Sequence, residues 1–338
     1  MRNNQKRILI VRQDRLGDVV LSTPLPREIK KHFPDAFVAV LVKKYTQAVY
    51  ENNPFVDKII LWDDFPQETF SDFFKKVKEI RRFKFTHAFM ILPDERINYA
   101  LFFAGIKRRY GTGWKIFQAA TGVKSVSRNK YIPLRHEADY ALDFARKIGI
   151  NSFNYATEIH LTEEEKKESE DRKHKFCPNG EKLVAVHSTY GFSTPNMPAS
   201  EYGKLVRRLS KAPGVKVVVT DFEVPAELQN IEGVIYLSRS GREFFIDVAM
   251  ADLLISSSTG PSHVAAALKV PTLTLFCRLP AASPMLWSPM GNDAYFLQPE
   301  ESYCAANCPA NIKDCRFQGA GGINAETVFT RTMQIIGN

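Results

Sequence analysis

The chain has 338 residues, 44% hydrophobic and 12% aromatic, more than one ordinary core holds, so two domains are expected. Apolar runs such as 215–220 and 272–277 stop well short of the roughly 20 residues needed to cross a bilayer, which argues against a membrane-spanning helix. The charge of +9 is uneven: residues 1–150 carry 28 Lys and Arg against 16 Asp and Glu, whereas 151–338 carry 18 against 21. A basic half of this kind fits nucleic acid, an anionic membrane face or a phosphorylated substrate. The first residues turn polar again after one strand's length, unlike a secretory signal, and five cysteines make no disulfide framework, so a cytoplasmic location is expected.

In chain order, 7–11 (RILIV) reads as a buried strand and 17–32 as a helix, followed by strand 37–42, helix 45–52, strand 58–61, helix 70–83 and strand 87–92. A second series opens with strand 183–187, helix 200–210 and strand 215–220. It continues through strand 234–237, helix 244–250, strand 253–256, helix 261–268 and strand 272–276. Such alternation implies parallel sheets in Rossmann-like units. Between the series, 161–175 reads as a solvated helix with Thr162 and Glu165 spaced as a capping box. The expected architecture is α/β, two facing Rossmann-like domains, 1–165 and 166–323, with an inter-domain cleft. A C-terminal helix at about 324–338 is expected to pack back on the first domain.

The sequence has no Walker A loop, complete G-x-G-x-x-G after a strand, G-x-S-x-G or H-E-x-x-H. It also lacks the D-x-D pair that commonly holds a metal-bound sugar diphosphate. Three strand-to-helix junctions carry candidate chemistry. At the first (12–24, RQDRLGDVVLSTP), Asp18 reads either as a general base or, like Asp14, as a helix cap. At the second (256–263, SSSTGPSH), Ser258, Thr259, Gly260 and His263 read as a diphosphate cradle, with plain capping and a buried structural histidine as alternatives. At the third, 187–190 (HSTY), hydroxyls sit where they could meet the same ligand.

The segments RQDRLGDVVLSTPLPREIKKHFPDAFVAVLV, AGIKRRYG, HEADYALDFARKIGI and ADLLISSSTGPSHVAAALKVPTLTLF, in this order, resemble the ADP-heptose:lipopolysaccharide heptosyltransferases, glycosyltransferase family 9. The resemblance implies the GT-B fold and an inverting transferase that uses a nucleotide sugar, with no metal and no further cofactor. By the same resemblance, Asp18 is the base, Ser188 and Thr189 touch the donor phosphates, Glu223 meets the nucleotide ribose, and Thr259, Gly260 and His263 face the diphosphate and sugar. Two positions depart from the family pattern. Ser258 stands where an Asp usually binds the sugar, and Pro195 where a Lys usually neutralises the leaving phosphate. Arg278, with Arg239 or Arg242, is the expected replacement cation, Arg278 first.

The segment 70–85 combines an apolar stripe with a basic face, readable as a core helix, a membrane-surface helix or both. Arg15, Lys107, Arg108, Arg109, Lys115 and Arg128 are the candidate contacts to an anionic lipid A-type acceptor. Cys304, Cys308 and Cys315 read as a structural loop, with a thiolate metal site as the alternative. The function expected is transfer of a heptose or related sugar from an ADP-sugar to a lipopolysaccharide core at the inner-membrane surface of a Gram-negative bacterium. The rivals are a transferase with another donor, a catalytically degenerate binder and, least supported, a nucleic-acid binder.

Overall fold

The structure is a computed structural model that describes residues 5–62, 69–189, 191 and 194–337. The chain divides into two units, Met1–His160 and Leu161–Asn338.

In the first unit, strands β1 (Arg7–Val11), β2 (Phe37–Val42), β3 (Lys58–Leu61), β4 (His87–Met90), β5 (Arg108–Thr112) and β6 (Lys124–Val126) form a parallel sheet in the order β3-β2-β1-β4-β5-β6. Near-continuous apolar strands such as RILIV and FVAVLV suit a sheet covered on both faces. The helices are α1 (Leu16–Val20), α2 (Pro24–His32), α3 (Phe70–Arg82), α4 (Glu95–Phe103), α5 (Ile116–Ala120) and α6 (Glu137–Arg146). Val77 and Ile80 of α3 and Ile97 and Leu101 of α4 close over Leu9, Val11, Leu41 and Met90.

Two expectations change here. The helix expected over 17–32 is two helices, because Pro24 has no N–H to continue the ladder of α1 and instead starts α2. The helix expected over 45–52 is one 3-10 segment, Lys44–Val49. Helix α3 forms as expected and opens on a capping box between Thr69 and Asp72.

In the second unit, β7 (Lys182–His187), β8 (Val215–Val219), β9 (Val234–Tyr236), β10 (Leu253–Ser257), β11 (Thr272–Leu275) and β12 (Ala294–Leu297) repeat the plan in the order β12-β11-β10-β7-β8-β9, again all parallel. Its helices are α7 (Glu163–Phe176), α8 (Ala199–Leu209), α9 (Gly241–Ala249), α10 (Gly260–Ala267), α11 (Pro284–Trp287), α12 (Glu301–Asn307) and α13 (Ala325–Ile336). The capping box of Thr162 and Glu165 forms in α7. That helix is held to α9 by Arg172, 2.5 Å from Asp247, and by Glu165, 2.8 Å from Arg242 Nε. It is solvated as expected, with Ser169 its one buried residue, and belongs to the second unit.

Helix α13 is part of the second unit. It packs on α8, with Val328 in the core beside Tyr202, Leu205 and Val206, and Glu201 accepts a hydrogen bond from the Ala325 N–H at 2.9 Å. Its apolar face is therefore placed by the second unit. Among the described residues no helix is long and apolar enough to cross a membrane.

Candidate functional site

In a doubly wound parallel sheet, ligands bind beyond the carboxyl ends of the strands where the strand order reverses. In the first unit that point lies between β1 and β4; in the second it lies between β7 and β10.

Beyond β1, Arg12 is 3% exposed and gathers three carboxylates. Its Nε lies 2.7 Å from Asp14 Oδ1, and its Nη2 lies 2.9 Å from Asp18 Oδ1 and 3.3 Å from Glu137 Oε1. Arg128 then holds the other Glu137 oxygen at 2.6 Å. Burial by itself would lower the Arg12 pKa, but the three carboxylates raise it above its ordinary value and keep the guanidinium charged. Burial pushes the Asp14 carboxyl up to about 6, a rise that Arg12 opposes and Asp18 reinforces.

Asp18 is in the first turn of α1, whose N-terminus has no side-chain cap, so its carboxylate serves Arg12 and does not cap the helix. The side chain is 22% exposed, and only one of its oxygens is engaged among the described residues. A fixed, charged and accessible carboxylate of this kind can accept a proton from a hydroxyl placed against it.

The six basic candidates separate along the strand direction. Arg108 begins β5 and is in register with His87 at the start of β4, so Lys107, Arg108 and Arg109 lie at the amino edge of the sheet. A strand's length, roughly 13 Å at 3.3 Å per residue, separates them from the edge that carries Asp18. Arg109 is moreover buried, donating to the carbonyls of Ile106 and Thr121, and Arg108 is 3.3 Å from His87 Nε2. Arg15 precedes α1, exposed Lys115 precedes α5 beyond β5, and Arg128 follows β6, so these three lie at the carboxyl edge.

In the second unit, the chain beyond β7 is fixed by a residue that the sequence reading missed. Asp221, fully buried just after β8, accepts hydrogen bonds from the Ser188 N–H at 2.9 Å and the Thr189 N–H at 2.7 Å. It also accepts from the Ser188 hydroxyl at 2.8 Å and the Thr189 hydroxyl at 2.7 Å. Both hydroxyls expected at the donor phosphates thus already donate their single proton inside the protein. The signal that could have found Asp221 is its place, an aspartate ending a strand beside β7. His187 is held down in pKa by burial, with Asp221 opposing, and Tyr190 lies outside the described residues.

Beyond β10, Ser258, Thr259 and Gly260 are half-buried and His263 is buried. Thr259 stands at the N-cap of α10 without a side-chain cap bond, and its hydroxyl donates to the Ser257 carbonyl at 3.4 Å. The first turn of α10 thus has no side-chain cap, Pro261 removes one N–H from it, and the Ser262 N–H donates to the Thr259 carbonyl at 3.2 Å. Glu223 is exposed beyond β8.

Where a Lys was looked for, Pro195 adjoins buried Asn196, which donates to the Ser188 carbonyl at 2.8 Å and accepts from the Tyr202 hydroxyl at 2.8 Å. The candidate replacement cations all have carboxylate partners. Arg239 lies 3.2 Å from Glu243 and 3.3 Å from Asp247, Arg242 pairs with Glu165, and Arg278 lies 3.3 Å from Glu301 while donating to the Pro299 carbonyl.

The five cysteines are free, and burial raises the thiol pKa of Cys277 and Cys304. Among the described residues no group of His, Cys, Asp and Glu is arranged to hold a metal ion.

Two parallel six-stranded units with this strand order match the GT-B fold. Residues 240–311 match the sequence model of glycosyltransferase family 9 (heptosyltransferase), so the family resemblance read from the sequence holds. A Haemophilus influenzae protein named "Putative glycosyltransferase" is 26% identical over 308 residues, 85% of this chain and 87% of that protein. The glycosyl transferase family 9 structure from Veillonella parvula superposes with a TM-score of 0.79 at 20% identity, over 99% of this chain and 98% of the other. The E. coli ADP-heptose lps heptosyltransferase II structure gives 0.75 at 16%, over 98% of each chain.

Proposed function

We propose that the protein is an inverting, metal-independent glycosyltransferase that moves a heptose or related sugar from an ADP-activated donor to a hydroxyl of an anionic lipopolysaccharide core. In a single displacement the acceptor oxygen bonds to the anomeric carbon, its proton passes to Asp18, and the bond from that carbon to the diphosphate oxygen breaks. The observation that carries this reading is Asp18, ion-paired through one oxygen and solvent-accessible, at the strand-order reversal of the first unit. On the donor side, the N-terminus of α10 with Thr259 and Gly260 receives the diphosphate, His263 and Ser258 adjoin the sugar, and Glu223 meets the ribose. The missing D-x-D pair speaks against a metal-held diphosphate, so no cofactor is invoked.

A second reading, a family member that binds a nucleotide sugar without transferring it, is favoured by one observation. Each arginine considered as a substitute for the absent Lys is ion-paired with a carboxylate. Calorimetric titration with ADP, UDP, GDP and ADP-heptose, followed by turnover with the tightest donor and delipidated core, separates the two. Selective ADP-heptose binding with turnover supports the transferase. Tight binding without turnover across acceptors establishes the binder, and preference for UDP or GDP replaces the donor.

The acceptor's lipid anchor fits the surface of α3, α4 and α5, three helices in successive contact. That surface exposes Phe74, Phe102, Phe103, Trp114 and Ile116, the last at 91%, beside exposed Lys75, Lys78, Arg81, Arg82 and Lys115. Aromatic and aliphatic tips beside cations suit shallow insertion into anionic lipid, which supports the reading of a peripheral protein on the cytosolic membrane face. Replacing Phe74 and Trp114 together by Ser is expected to weaken binding to phosphatidylglycerol vesicles by about thirtyfold, since each ring brings roughly 1 kcal/mol of buried apolar area. Unchanged cosedimentation would remove this surface from the proposal.

A further inference from the structure

The carboxyl edge of the first unit holds more carboxylates than a single proton acceptor requires, and this surplus has an ordered geometry. Asp14 Oδ1 lies 2.7 Å from Arg12 Nε in an ion contact without a hydrogen bond, while Nη2 is divided between Asp18 at 2.9 Å and Glu137 at 3.3 Å. Asp18 therefore holds only a share of one guanidinium nitrogen, and that guanidinium is already surrounded by negative charge.

We propose that Asp14 is a positioning residue that keeps Asp18 basic: its negative charge, 2.7 Å from Arg12 Nε, opposes the field of the guanidinium that Asp18 shares with Glu137. The inference rests on the proposed role of Asp18 and adds the residue that tunes it. A carboxylate gripped by both edges of an unshared arginine would be held by charge-assisted hydrogen bonds and would accept a proton poorly. With Asp14 present, the Arg12 charge is spread over three carboxylates, and Asp18 is oriented by a share of one guanidinium nitrogen.

The groups around the pair come from several elements. They are Arg12 beyond β1, Asp18 on α1, Tyr45 and Tyr50 around the 3-10 segment, and Glu137 on α6 with Arg128 behind it. The Tyr45 hydroxyl donates to the Asp14 carbonyl at 2.7 Å, which fixes the loop that carries the carboxylate. Burial pushes the Asp14 carboxyl up from the usual carboxylate range against the pull of Arg12, so its opposing charge is lost in acid earlier than that of an ordinary aspartate.

The test is a pH titration of the aspartate side-chain carbons by NMR on the full chain, for wild type, Asp14→Asn and Asp18→Asn. The Asp18 signal, assigned by its loss in Asp18→Asn, is expected to titrate about half to one pH unit lower in Asp14→Asn, a three- to tenfold drop in proton affinity. The conservative Asp14→Glu variant restores the wild-type midpoint and also serves if Asp14→Asn does not fold. An Asp18 midpoint that does not move in Asp14→Asn, or that is not restored in Asp14→Glu, overturns the proposal. In the transfer assay Asp14→Asn lowers kcat three- to tenfold at neutral pH and leaves the donor KM unchanged. The titration needs no substrate, so the two failures separate. Full turnover of Asp18→Asn defeats the base assignment, and an unmoved midpoint defeats the tuning by Asp14.

Discussion

Asp18→Asn is expected to lower kcat for transfer from ADP-heptose by about 10³-fold, within the usual span for removal of a general base. The amide is isosteric with the carboxylate and its carbonyl oxygen can still accept from Arg12 Nη2, now 2.9 Å from Asp18, so the fold and the ion-pair cluster are retained. What is lost is the lone pair that takes the proton from the attacking hydroxyl. Donor affinity measured by calorimetry should stay within about twofold, because the groups assigned to the diphosphate belong to the second unit; this size of effect matches loss of an interaction made only in the transition state. Steady-state kinetics beside thermal melting checks the claim. A variant that turns over within fivefold of wild type would take the base role away from Asp18.

Asp221→Ala carries the second large effect, on stability and donor binding together. The fully buried carboxylate satisfies two backbone N–H groups and two hydroxyls of Ser188 and Thr189. Removing it strands these donors beside β7, and each buried polar group left unpaired costs about 1–3 kcal/mol. A loss of roughly 4 kcal/mol and a melting temperature lower by about 10 °C are expected for a unit of this size. Because the loop beyond β7 loses its anchor, donor KM should rise as well. Asp221→Asn, which keeps the acceptor oxygen but not the charge, should recover part of the stability. Melting curves with and without ADP provide the measurement, and a melting temperature unchanged in Asp221→Ala would show that water replaces the carboxylate.

The strands were the most legible part of the sequence. Runs such as FVAVLV and VKVVV are almost wholly apolar because a parallel sheet covered on both faces has no solvent side, and the structure places them at 37–42 and 215–219. The missed elements have weaker local signals. Strand β5 reads RRYGT, with two arginines at its start, and α6 was quoted only as part of a motif. Proline made the difference between one helix and two at 17–32, since its missing N–H ends a ladder that apolar spacing alone would continue.

The candidate site was legible only in part, and the divide follows chain distance. Asp18 and the Thr259–Gly260 junction announce themselves through short motifs between a strand and a helix. Arg12 with Glu137 is a pair 125 residues apart, and Asp221 reaches back 33 residues to Ser188. Neither pair has a periodicity or spacing to read. Residue type alone also overcounted the basic candidates: in AGIKRRYG three adjacent cations look like one patch, yet Arg109 is buried on backbone carbonyls.

By itself the sequence determined the two-unit α/β plan, the sheet's parallel sense and the two strand-to-helix junctions that carry Asp18 and Thr259, because these follow from local hydrophobic pattern and turn chemistry. Only the tertiary structure decided that Asp18 shares Arg12 with Asp14 and Glu137, that Asp221 claims the hydroxyls of Ser188 and Thr189, and that Lys107, Arg108 and Arg109 stand at the far edge of the sheet. The physical reason is the same in each case. Charge and hydrogen-bond partners are chosen by which strand ends lie side by side, and that adjacency is fixed by the packing of the whole sheet.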